Sequence, residues 1–175
     1  MSDQLFRHLA RAGGRELERL MRTAGAPDPA TLVGYEWRGF NTAIITVLLG
    51  NRKFIKVFIS GGPSGIHGHN YFAVGTSLDE PWQRRRRDER GSIVGRYGVT
   101  AAGAFAHPRY GNAMLIDYGA HAQQGWLLRS IRDYLVQPDA ADPDVMLGKA
   151  YFTFGRLVLP AGYFVLARLQ PYRAA

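Results

Sequence analysis

The chain has 175 residues, 22 basic and 14 acidic side chains, and no cysteine. That length suits one domain burying roughly two-thirds of its unfolded surface, and 46% hydrophobic with 12% aromatic content excludes a disordered chain. The missing cysteine excludes a disulfide framework, a thiolate metal site, an iron–sulfur cluster and a cysteine nucleophile.

The formal charge of +8 is local, because only Lys53, Lys56 and Lys149 are lysines and four arginines form the run Arg84 to Arg87. Overall charge therefore says little about partners.

In chain order, residues 3–24 predict a helix, with Leu5, Phe6, Leu9, Leu17, Leu20 and Met21 on one face. Ser2 suits its start and Asp3 its positive end. Gly13 and Gly14 weaken the middle enough to allow two shorter helices. Ala26-Pro27-Asp28-Pro29 ends the segment.

Short β-like runs follow: Leu32–Arg38, Arg52–Ile59, His69–Gly75, Ile93–Val99, Ala113–Tyr118, Leu128–Gln137, Met146–Phe154 and Leu157–Leu169. The last of these is expected to break near Pro160-Ala161-Gly162. Asn41 and Gly50 bracket a short helix near 42–49. The expectation is a mainly β single domain over 1–175, with a helix over 1–26 and an antiparallel barrel of eight to ten strands over 31–170. No stretch is apolar enough to cross a bilayer, and the N-terminus lacks the apolar core of a signal peptide. A cytoplasmic domain is expected.

Strand alternation points to the interior. Lys149, Tyr151 and Thr153 share one face; Ile131, Asp133 and Leu135 oppose Arg132, Tyr134 and Val136; Leu115 and Asp117 oppose Met114, Ile116 and Tyr118. Mixed aromatic and polar faces suit a barrel that holds a ligand, with an apolar body and a few orienting polar groups. On that reading Trp37, Tyr71, Tyr97, Tyr118, Tyr134 and Tyr151 line or close the site, and Arg38, Arg132 or Lys149 anchors a polar end. The alternative puts tyrosines on an outer face beneath the N-terminal helix, with ion pairs such as Asp117–Lys149 or Arg132–Asp133 at the rim.

If the barrel is an enzyme, His69, Asp117 and Tyr118 are the acid/base candidates. His67 and His69 could share a metal, but the pair alone is a weak signal, and no metal is expected. Gly61 to Gly65 lacks the Gly-Lys-Ser/Thr ending of a phosphate loop and no nucleotide fingerprint occurs elsewhere, so no cofactor is expected. Acidic neighbours around Arg84 to Arg87 suit a solvated hairpin loop better than a phosphate-binding patch. Arg7, Arg11, Arg15 and Arg19 form a second basic stripe.

Gly34-Tyr35-Glu36-Trp37, taken with Leu147-Gly148-Lys149-Ala150-Tyr151, resembles uncharacterised bacterial families of lipocalin-like (calycin-like) β-barrels. In lipocalin-like barrels the tryptophan packs across the closed end. The chain departs from secreted lipocalins in its lack of disulfides and of a signal peptide, and in the helix before the first strand. The resemblance implies a barrel with a small apolar ligand and transfers no catalytic residue. The expected function is binding of a small, largely apolar molecule. The alternative is a cofactor-independent isomerase or cyclase on a polyketide- or terpenoid-like substrate, and a third reading is an Arg-rich nucleic-acid binder. A hydrophobic small molecule is the expected partner; nucleic acid and membrane are disfavoured, and a homodimer stays open.

Overall fold

Eight strands, each hydrogen-bonded to the next in sequence and the last to the first, close into an antiparallel barrel in this computed structural model. The structure describes residues 1–43, 52–61, 65–85, 93–104 and 109–173. The strands are β1 (Tyr35–Asn41), β2 (Lys53–Ser60), β3 (Ile66–Phe72), β4 (Ile93–Ala101), β5 (Met114–Asp117), β6 (Ile131–Val136), β7 (Val145–Phe154) and β8 (Leu157–Pro171). Closure leaves no free sheet edge. Residues 44–49 of the short helix expected near 42–49 lie outside the described residues, as do Arg86 and Arg87.

The N-terminal helix is divided, as the paired glycines allow. α1 (Ser2–Arg11) ends at Ala12, and α2 (Gly14–Thr23) starts from Gly13. Ser2 does not cap; its hydroxyl donates to Asp142 at 2.9 Å. Phe6, Leu9 and Ala10 of α1, with Leu17 and Met21 of α2, bury themselves against an outer wall built from Tyr134, Val136, Val145, Leu147, Val165 and Ala167. That wall is apolar on its outside because two helices cover it. α3 (Pro29–Leu32) is capped by the Asp28 carboxylate, which accepts from Ala30 N at 2.9 Å.

Four expectations shift, the first being that β3 runs over Ile66–Phe72 rather than His69–Gly75. Leu32 sits in α3 rather than in the first strand, and Leu128 sits in α4 (Trp126–Arg129), just before β6. The Pro160 segment does not break β8. Tyr151 pairs with Pro160 and Ala150 with Gly162, so Ala161 is an extra residue accommodated as a bulge. Among the described residues, no helix is long and apolar enough to cross a membrane.

α3 covers one end of the barrel. Trp37 is fully buried there, donates from its indole N–H to Leu32 O at 3.0 Å, and packs edge-on to Phe58. The Arg168 guanidinium lies over Tyr35 and Trp37 at 4.1 and 5.4 Å, and donates to Thr31 O at 3.0 Å. The interior above this floor is filled by Phe58, Tyr97, Ile116, Leu135, Met146 and Leu166. Whatever space the barrel holds must therefore lie at the other end, beside α4.

Candidate functional site

Register decides which side chains reach that space, since directly paired residues on adjacent strands share a face. Trp37 pairs with Lys56, and Lys56 with Asn70. Across the barrel, Ile116 pairs with Asp133 and Asp133 with Ala150. A cavity of about 200 Å³ lies between these walls. Phe54, Phe72, Val94, Leu128, Ile131, Ala150 and Phe164 form its apolar sides, and Asn41, Lys56, Asn70, Tyr118 and Asp133 supply its polar groups. Two glycines make room for its rings. A Cβ on Gly148 would sit 2.1 Å from Phe164, and one on Gly95, whose φ of +72° also favours glycine, would sit 2.9 Å from Tyr118.

Four of these polar groups form one connected set. Lys56 Nζ donates to Tyr118 OH at 2.8 Å and to Asp133 Oδ2 at 3.3 Å. Asn70 Nδ2 donates to the same phenol oxygen at 2.7 Å, and the phenol donates to Asp133 Oδ2 at 3.3 Å. The Lys56 ammonium also lies 4.3 Å from the Tyr97 ring centre. Lys56 is 1% exposed and Asp133 4%. Asn70 Oδ1 is buried without a hydrogen-bond partner, an acceptor left unmet at the cavity wall.

Burial dominates the electrostatics here. It pushes the Lys56 amine down, an effect the Asp133 charge and hydrogen bond offset only in part. It pushes the Asp133 carboxyl up against the opposing pull of Lys56 and Tyr118. Burial, reinforced by the Asp133 charge, holds the Tyr118 phenol well above its ordinary value, so it stays a donor. The pair is driven toward sharing one proton rather than toward full charge separation.

The expected site residues divide between the two faces. Trp37, Tyr97 and Tyr118 are interior, with Tyr118 at the cavity and the other two packed beneath it. Tyr71, Tyr134, Tyr151, Arg38, Arg132, Lys149, His69 and Asp117 are on the outer wall, so their expected place in the cavity is corrected. The physical reason is the second apolar cover. Tyr134 and Tyr151 stack edge-to-face at 5.9 Å in the layer beneath α1 and α2. Lys149 pairs there with Glu18 at 2.6 Å and donates to Tyr110 at 3.0 Å. The Arg38 guanidinium lies 4.5 Å over Phe6 and pairs with Asp3 at 2.7 Å. His69 Nε2 contacts Tyr71 OH at 2.9 Å, and Arg84 covers the Tyr71 ring while pairing with Glu36. Asp117 pairs with Arg132 at 3.0 Å, not with Lys149, and its carboxylate caps Gly119 N.

Sequence reasoning missed Lys56, Asn70 and the interior role of Asp133. The usable signal for Asp133 was its alternation with Ile131 and Leu135. For Lys56 it was the setting between Phe54 and Phe58 on the same face of β2, in a strand apolar on both sides. Neither sequence nor architecture brings a relative to bear: no family model, no curated protein and no solved structure matches this chain.

Proposed function

We propose that the barrel binds a small, largely apolar molecule in the cavity beside α4, with a polar end against Lys56, Tyr118 and Asn70. The observation that carries this reading is an apolar cavity in which Lys56, Asn70, Tyr118 and Asp133 form one network with a spare acceptor, Asn70 Oδ1. A volume of about 200 Å³ lies below the roughly 300–1,000 Å³ of drug-sized sites, so the ligand is a single ring or short chain. The closed eight-stranded barrel and the tryptophan beneath α3 support grouping the chain with lipocalin-like barrels. The nucleic-acid reading has less support, because Arg7, Arg22, Arg38, Arg84, Arg132 and Arg168 each face a carboxylate.

A methyl-resolved NMR titration with toluene tests the reading. Saturable shifts confined to Val94, Leu128, Ile131 and Ala150 are expected, insensitive to salt and abolished by Ala150→Phe. Shifts that are absent, or that vanish on adding salt, would overturn it. The isomerase or cyclase reading keeps one specific support, Tyr118 OH between Lys56 and Asp133, where a phenol can pass a proton to a bound carbonyl or alkene. Under that reading Asp133→Asn retains binding and loses turnover.

A further inference from the structure

Lys56 stands out as a group the barrel does not need. An apolar side chain at this level would fill the interior without the desolvation cost of a buried ion pair, and such replacements are commonly neutral or stabilising. It is also singular among the three lysines. Lys53 faces the outer wall, where its Nζ donates to the carbonyls of Glu80 and Pro81 and lies 4.1 Å over the Trp82 ring. Lys149 is held by Glu18 and Tyr110 on the outer wall. Only Lys56 places an amine at the cavity.

We propose that Lys56 is a nucleophile that holds a small aldehyde or ketone in the barrel cavity as a reversible imine. This inference rests on the cavity-binding reading and deepens it by naming the ligand class. The surroundings supply what each step needs. An amine attacks only through a free lone pair, and burial acts in that direction on both partners, lowering Lys56 and raising Asp133, which favours passage of the proton from amine to carboxyl across their 3.3 Å contact. The Nζ lone pair then forms a C–N bond to the carbonyl carbon while the C=O π pair moves onto oxygen. That oxygen takes the Asp133 proton, and the nitrogen returns one of its own protons to the Asp133 carboxylate.

The resulting carbinolamine carries a hydroxyl for which Asn70 Oδ1 is the unmet acceptor. Loss of that hydroxyl as water, protonated again by Asp133, forms C=N, and the iminium proton returns to the carboxylate. The balance is amine plus carbonyl giving imine plus one water, with no oxidant or reductant. Apolar side chains flank the C=N bond, and about 200 Å³ holds roughly seven waters' worth of volume, enough for benzaldehyde.

The test uses the whole chain with benzaldehyde and sodium cyanoborohydride near neutral pH, followed by peptide mapping, beside the toluene titration. A benzyl group on Lys56 is expected at least about tenfold faster than on Lys53 or Lys149, because only at Lys56 does the cavity hold the aldehyde beside the amine. Lys56→Arg keeps a basic group opposite Asp133 and, with the folded circular-dichroism spectrum unchanged, must lose that adduct. Toluene binding without preferential labelling of Lys56 overturns the imine and leaves the binding reading standing. Absence of both toluene shifts and labelling overturns the two together.

Discussion

Two lysine–carboxylate–tyrosine clusters occupy opposite sides of the same barrel wall, and they behave in opposite ways. Inside, Lys56 meets Asp133 at 3.3 Å and shares Tyr118 and Asn70. Outside, Lys149 meets Glu18 at 2.6 Å, and Glu18 also accepts from Tyr163 at 2.8 Å and Tyr110 at 2.9 Å and pairs with Arg22. Burial raises Glu18, but the hydrogen bonds from Lys149, Tyr163 and Tyr110 outweigh it and hold the carboxyl at about 2. Lys149 is in turn raised, because its hydrogen bonds to Glu18 and the tyrosines exceed the opposing effect of burial. The residue types are alike. What differs is how many donors surround each carboxylate and how much solvent remains, and this decides whether a pair is a firmly charged strut or one that burial pushes toward its neutral forms.

The largest effect should come from breaking the inner couple. Lys56→Met leaves the buried Asp133 carboxyl without its amine partner, at a cost of about 3 kcal/mol in urea unfolding. The double variant Lys56→Met/Asp133→Leu should recover most of that loss, since it removes the stranded group. A double variant as unstable as the single one would mean that packing, not desolvation, governs the site.

The outer couple should yield less, and with a clear pH signature. Glu18→Gln is expected to cost about 2 kcal/mol at neutral pH. In the folded state Glu18 sits at about 2, below its ordinary 4.5. Its contribution is thus complete above pH 4.5 and is lost as the pH falls toward 2, because the unfolded chain binds the proton first. The difference between wild type and Glu18→Gln should therefore shrink across that window. A difference constant from pH 7 to 2 would contradict the assigned charge state.

The same contrast explains what the sequence could reveal. Turn signals and alternation located every strand, because each strand of a closed barrel must bury one face. Pro160 was misleading, since a bulge accommodates a proline that a regular ladder could not. The inside–outside assignment was harder, because a one-residue change of parity exchanges the two faces. Here both faces are buried wherever α1 and α2 lie. Tyr134 and Tyr151 satisfy an apolar outer layer as well as they would an inner one. The apolar stripes of those helices were visible in sequence and implied such a layer, yet nothing local said which strands it would cover. Lys56 was hidden for the complementary reason: a charge within a strand reads as exposed until its neighbours around the barrel are known.

His69 sharpens the comparison by showing burial without a counter-charge. It is buried on the outer wall against Tyr71 and Tyr172. Burial, then the positive charges of Arg96, Arg84 and His67, lower its pKa from 6.5 to about 4. The unfolded chain therefore takes up a proton near pH 6.5 that the folded chain refuses until about 4. Stability should be independent of this group above pH 6.5, decline as the pH falls toward 4 and level off below, with a loss of about 1–2 kcal/mol by pH 5. His69→Phe keeps the ring contacts, removes the titrating nitrogen and should flatten that decline while sacrificing the hydrogen bond to Tyr71. Because this window lies above that of Glu18, urea midpoints measured at half-unit steps from pH 7 to 3 separate the two groups. If His69→Phe leaves the slope between pH 6.5 and 5 unchanged, the proton uptake belongs to another group, and the wall around Tyr71 is wetter than its packing indicates.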